Sequence, residues 1–151
     1  MKHEAIAKAE AVIAKKTVGW NENSGYCAVT AIDENGYPTT STISVLKADG
    51  ICRLVFGASL SSDRTKRIKN CNRVCVCFNS DGYHISLVGT IEIVTDPQAK
   101  RDAWVKGLEE YYSGADDPDF GTMHFTTERY NLFFIDGGSA DAGILRRGNN
   151  D

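Results

Sequence analysis

The chain has 151 residues and a formal charge of −3, which at about 150 residues per domain makes it one domain that can bury roughly 68–70% of its unfolded surface without disulfides or metal. Hydrophobic residues at 42% and charged residues at 25% exclude overall disorder, and the slight acidity excludes a general attraction to nucleic acid or anionic lipid. No apolar run reaches the ~18 residues of a membrane span, and Met1-Lys2-His3-Glu4 opens an Ala/Lys/Glu pattern and not the apolar core of a signal peptide, so the expected location is the cytoplasm.

Residues 2 to about 16 read as an amphipathic helix, with Ile6, Ala9, Val12 and Ile13 at near-helical spacing and Gly19 as its stop. From Tyr26 the period changes to that of a strand, which runs to Ile32. Asp33-Glu34-Asn35-Gly36 then makes a hairpin turn, because Asn and Gly tolerate positive φ. A return strand spans about Thr39 to Lys47, Asp49-Gly50 turns, and Ile51 to Gly57 is a third strand. The polar stretch Ala58 to Asn72 contains a short helix starting near Ser62. Arg73 to Asn79, the turn Asp81-Gly82 and Tyr83 to Thr95 make two further strands. Strands joined by tight turns predict an antiparallel sheet, closed as a barrel. Asp96-Pro97 opens a helix whose apolar face is Trp104, Leu108, Tyr111 and Tyr112. Asp116-Asp117-Pro118-Asp119 is a turn, Arg129 to Asp136 the last strand, and the tail 137–151 is loose, leaving 1–136 as the single domain. Cys27, Cys52, Cys71, Cys75 and Cys77 include no Cys-x-x-Cys pair and are read as small buried apolar residues.

Chemistry concentrates in Ser59-Leu60-Ser61-Ser62-Asp63-Arg64-Thr65-Lys66-Arg67, where a strand leaves the sheet and a helix begins. Orphan amides at a helix start, hydroxyls and a guanidinium suit a phosphate dianion. A solvated basic turn with Ser62 as a plain cap fits the same residues. The Gly-x4-Gly-Lys-Ser/Thr loop of nucleoside-triphosphate sites is absent. No Ser-His-Asp order or metal-spaced histidine cluster competes, since His3, His84 and His124 are isolated.

Several landmarks in order resemble the pyridoxamine 5′-phosphate oxidase-like family of FMN-binding split barrels, especially its general-stress-protein branch. They are the hairpin Cys27 to Pro38, Leu54-Val55-Phe56 followed by Ser62-Asp63-Arg64-Thr65-Lys66, and Ile68 to Val74. Ser86 to Glu92, Asp96…Trp104 and Tyr111-Tyr112…Asp116 to Phe120 complete the series. The resemblance covers about residues 25–135. It implies a mainly β fold with flanking helices, an antiparallel split β-barrel. It also implies a homodimer with FMN at the subunit interface.

By the same resemblance, Ser62 matches the family's phosphate-binding Ser, and Arg64 stands where Lys is usual, keeping the charge and adding a fork. Lys66 is a second candidate cation. The strand from Thr39 resembles the one whose backbone meets the flavin edge, which nominates Thr42, Ile43 and Ser44. The family's oxidases carry an Arg on this strand, where this chain has Thr and Ser. Phe56, Gly57 and Ala58 resemble the stretch along the ring. His84 aligns with a polar residue that approaches the flavin, often from the partner subunit; an exposed strand histidine fits equally. The implied activity is oxidoreduction of an unknown small molecule, or flavin binding without turnover. Genuine pyridoxamine 5′-phosphate oxidation is not expected, because the last residues, Ile144-Leu145-Arg146-Arg147-Gly148 and the three after them, lack the Arg-x-His that holds that substrate in the family's oxidases. Two alternatives stay open. One is a haem- or deazaflavin-binding relative, where haem would take His84 or His124 as axial ligand. The other is a non-catalytic, stress-related binding module.

Overall fold

The computed structural model describes residues 2–17 and 25–145. Gly19, read as a helix stop, and Arg146, Arg147 and Gly148 lie outside them. Helix α1 (Lys2–Lys16) is followed by strands β1 (Cys27–Ile32), β2 (Pro38–Ile43), β3 (Val45–Asp49) and β4 (Arg53–Ser59). Helix α2 (Asp63–Asn70), strands β5 (Arg73–Ser80) and β6 (Tyr83–Val94), helix α3 (Pro97–Ala103) and strands β7 (Phe120–Phe134) and β8 (Ser139–Ile144) complete the chain. The strands pair antiparallel in the order β2-β1-β5-β6-β7-β4-β3, with β8 beside the second half of β7.

The expected strand Thr39 to Lys47 is in fact two. It breaks at Ser44, and its halves lie at opposite ends of the strand order. Because one chain segment supplies both ends, the sheet is bent round on itself. The architecture is an antiparallel split β-barrel with flanking helices. Its interior takes one face of each strand, including Val29, Leu54, Phe56, Val76, Phe78, Ile85, Leu87 and Phe125, all buried. Helix α1 adds Ala5, Ala9 and Ile13, one stripe at i, i+4 and i+8, and packs against β3, β7 and β8.

The alternation that buries Val74, Val76 and Phe78 turns Cys75 and Cys77 to the outer face, half-buried, and Cys52 is exposed. Of the five cysteines only Cys27 is a buried core residue; all are free thiols. Parity decides this, since a strand offers its core every second residue.

Strand β7 begins at Phe120, well before the expected Arg129. Its register against β6 shifts between Val88 and Gly89, leaving Glu128 as an extra residue. The bulge flips which positions face inward. Met123, Phe125 and Thr127 are buried before it, and Tyr130, Leu132 and Phe134 after it. A period-2 pattern read from the sequence loses continuity at such a step.

The tail also departs from expectation. Asp136–Gly138 form a 3-10 turn, and Ser139–Ile144 are β8, paired to Arg129–Phe134. The Tyr130 phenol donates to the Asp141 carboxylate at 2.7 Å, tying the strand down. Backbone pairing and α1 packing order this segment despite its Gly, Ala and Asp content. Among the described residues, no helix is long and apolar enough to cross a membrane.

Gly89 lies where β6 meets the bulge, and a Cβ there would collide with the backbone carbonyl of Thr126. Backbone cannot step aside as a side-chain tip can. Gly89→Ala is therefore expected to cost about 1–3 kcal/mol of folding stability, seen as a lower urea midpoint by circular dichroism. An unchanged midpoint would show that the bulge relaxes freely.

Candidate functional site

The break at Ser44 and the exit of β4 into α2 enclose one open cleft of about 310 Å³, within the ~300–1,000 Å³ range of small-ligand sites. Its lining includes Thr42, Ile43 and Ser44 from the β2–β3 bend, Leu46 from β3, and Gly57 and Ser59 from β4. Ser62 and Arg64 stand at the start of α2, and Leu108, Tyr111 and Tyr112 come from the segment after α3. Tyr26 stands at its mouth.

Local geometry explains the polar end. Ser62 has extended backbone angles, and its Oγ accepts from the Thr65 amide at 3.2 Å, capping α2. Its hydroxyl proton goes to Thr65 Oγ1 at 3.1 Å, and the buried Thr65 hydroxyl donates to the Ser59 carbonyl at 2.8 Å. The bend is also held from outside, where Asp119 accepts the Leu60 amide on its carbonyl and the Ser61 amide on its carboxylate. The first amides of α2, at Asp63 and Arg64, precede any intrahelical acceptor.

Arg64 crosses from α2 to β2. Its Nε donates to Ser41 Oγ and its Nη2 to the Thr42 carbonyl, both at 2.9 Å. Burial lowers its pKa from the ordinary arginine value. Among the described residues it has no carboxylate partner, and it is the only charged side chain lining the cleft. Lys66, two residues on and so ~200° round the helix, is exposed in a separate depression with Glu34, Asp63, Arg67 and Asn70. The expected second cation is therefore not part of this site.

Strand parity sorts the other expected residues. Phe56 and Ala58 point into the barrel core, 0% and 3% exposed, and only Gly57 of that trio faces the cleft. A Cβ on Gly57 would lie 3.3 Å from Leu46 Cδ1 and 3.4 Å from Phe120 Cε2. Leu46 reaches the cleft because the β3–β4 register shifts between Val45 and Lys47. Thr42, Ile43 and Ser44 line the cleft as expected. His84 does not; it sits on the outer face of β6, with Nδ1 3.9 Å from Cys77 Sγ. His124 Nε2 contacts Thr122 Oγ1 at 3.0 Å and lines a different depression.

Ser59, at the start of the basic bend, also lines the cleft, and with it come Leu46, Tyr26, Tyr111 and Tyr112, whose place there is not legible in the sequence. Helix α3 stops at Ala103, so the supposed continuous apolar face splits. Trp104 packs edge-on to Phe120 at 5.3 Å, while Tyr111 and Tyr112 turn towards the cleft. Asp116 to Asp119 form the expected turn, in which the Asp117 carboxylate accepts the Ser113 and Asp119 amides at 2.8 and 2.9 Å. Among the described residues no group of three potential ligands could hold a metal.

A split barrel with a cleft at the β4–α2 bend, lined by one arginine, defines the class of protein. The family model for pyridoxamine 5′-phosphate oxidase matches residues 13–134, and the chain belongs to that family. Among solved structures, it resembles a Clostridium acetobutylicum protein related to general stress protein 26 of Bacillus subtilis, of the pyridoxinephosphate oxidase family. The TM-score is 0.80 and the identity 27%, over 96% of this chain and 97% of that one. General stress protein 26 from Bacillus anthracis aligns with TM-score 0.68 and 17% identity, over 94% and 97%. A heme binding protein from Mycobacterium smegmatis shares the fold with TM-score 0.66 and 16% identity, over 95% of this chain and 58% of that one. Among curated proteins none matches the chain.

Because the Ser62 hydroxyl is fully engaged within the cap, its first effect is on α2. Ser62→Ala is expected to cost about 1 kcal/mol of stability, measured by thermal melting without ligand. No change in melting would mean that the hydroxyl is free to serve a ligand instead.

Proposed function

We propose that this chain is an FMN-binding flavoprotein and oxidoreductase of its family, acting on a small molecule as a homodimer. The observation that carries the reading is Arg64. A half-buried guanidinium that faces a cleft with no carboxylate beside it is an uncompensated charge, and an anion there relieves its desolvation. The neighbouring α2 amides add donors at the positive end of the helix dipole. One anion, a phosphate, matches both.

The rest of the lining fits a flat ring system. Gly57 leaves the floor without a side chain, Leu46, Leu108 and Tyr111 supply apolar walls, and the Thr42–Ser44 backbone offers polar groups at the edge. When bound, the flavin supplies the electron transfer. In this reading Arg64 and the α2 amides hold the phosphate. The β2–β3 bend orients the ring edge, and the apolar walls keep water from its face. Haem in this cleft would find no imidazole from its own chain, since neither His84 nor His124 lines it, and would depend on a tyrosine phenol such as Tyr111 or Tyr112 as axial ligand; the guanidinium and helix amides favour flavin.

The purified protein is expected to bind FMN with quenching of flavin fluorescence and to show flavin bands, not a Soret band. Arg64→Ala removes a charge-assisted contact of roughly 1.5–3 kcal/mol, so FMN affinity should fall by about 10- to 100-fold while riboflavin affinity holds. Equal losses for both ligands would assign Arg64 to the fold and not to phosphate.

The homodimer has its own support. The outer faces of β5 to β8 carry Cys75, Cys77, Val88, Phe133, Ala142 and Ile144 together with the charged Arg73, Glu92 and Arg129. Phe133 is 46% and Ile144 68% exposed. Exposed apolar side chains of this size gain by association. His84 lies on it and would reach a flavin only from the partner. Phe133→Glu is expected to convert a dimer to a monomer in sedimentation velocity; an unchanged sedimentation coefficient would place the interface elsewhere.

A further inference from the structure

We infer that Ser59 and Tyr112 form a two-hydroxyl donor that binds the anionic tail of the ligand beside Arg64, so that the segment after α3 belongs to the phosphate site. The inference rests on the FMN reading above and extends it to residues from a different part of the chain.

Ser59 is the last residue of β4, and Tyr112 lies more than fifty residues later, yet their hydroxyl oxygens are 2.6 Å apart. Both line the cleft that Arg64 and Ser62 line. Proton arithmetic makes the pair a donor. Two hydroxyls hold two hydrogens, and the bond between them uses one. Among the described residues no other acceptor takes the second. Whichever hydroxyl donates within the pair, one O–H is left for the cleft.

Both oxygens are held in place. The Ser59 carbonyl is fixed by the Thr65 hydroxyl, within the same network that caps α2. The Tyr112 ring packs on Phe120 with centroids 4.9 Å apart, and its amide bonds to the Leu108 carbonyl at 3.0 Å. Burial, the largest influence, raises the pKa of the Tyr112 phenol above its ordinary value, so it keeps its proton at neutral pH. A fixed neutral donor next to a guanidinium suits an oxyanion. The hydroxyl pair also explains why the 104–119 segment is drawn down onto the bend, where Asp119 already holds the Leu60 and Ser61 amides.

The double variant Ser59→Ala/Tyr112→Phe tests this. It removes both partners and keeps the aromatic packing, so neither hydroxyl is left unpaired and the fold is retained. Titrated with FMN and riboflavin, it is expected to lose about tenfold or more in FMN affinity and less than twofold for riboflavin. FMN affinity equal to wild type, or matched losses for both ligands, overturns the inference while leaving the Arg64 reading intact. A wild-type protein that binds neither ligand overturns both. As a second measurement, FMN should raise the melting temperature of wild type more than that of the double variant. Equal increments count against the pair.

Discussion

Residues 38–49 run as two strands separated by Ser44, and those strands lie at the two ends of the hydrogen-bonded order. A single bend in one segment thus closes the sheet and creates the cleft. The same bend leaves Ser41 and the Thr42 carbonyl where Arg64 meets them. It also buries Ile43, Ser44, Val45 and Leu46 in succession, where a strand covered on one face only would alternate. Ile43 and Val45 belong to the main core, Leu46 to the outer cluster with Ala103, Leu108 and Phe120. The barrel core and the cleft wall are therefore joined through four consecutive residues.

The electrostatics of the cleft run against those of the whole molecule. The chain is acidic overall, yet the carboxylates near the bend are turned to backbone work. Asp117 and Asp119 accept amides in their own loop and in the bend. Asp33 accepts the Asn35 and Tyr37 amides in the first hairpin, at 2.9 and 3.0 Å. Hydrogen bonds to the charged form lower the pKa of both Asp33 and Asp117. Their support for the loops is present above the ordinary aspartate range and fades as pH falls through the lowered values. Among the described residues Arg64 has no carboxylate partner.

A heme binding protein from Mycobacterium smegmatis shares this fold. Fold alone does not decide a ligand. The choice lies with the few side chains that reach the cleft, and here these are one arginine, several hydroxyls, apolar walls and no imidazole. Two segments that a linear reading passes over complete this arrangement. One is the 104–119 excursion, which walls the cleft. The other is β8, which lies beside β7 and packs against α1.

From residue order alone, the meander of strands, the hairpin at Asn35-Gly36, the helix start at Ser62, the helix start at Asp96-Pro97 and the basic bend were legible. Each depends on neighbours within a few residues: positive φ at Gly36, a capped amide, a proline at the first helical turn. The resemblance to a family added Thr42, Ile43 and Ser44, which meet Arg64 of the basic bend in one cleft. What stayed hidden depends on contacts between distant parts of the chain. The β2–β3 break, the Glu128 bulge that flips β7, and the meeting of Ser59 with Tyr112 come from closing the barrel. The exclusion of Phe56, Ala58 and Lys66 from the cleft follows from which face of each element the core claims. Local propensity sets where an element begins, but only burial in the closed barrel decides which way its side chains face.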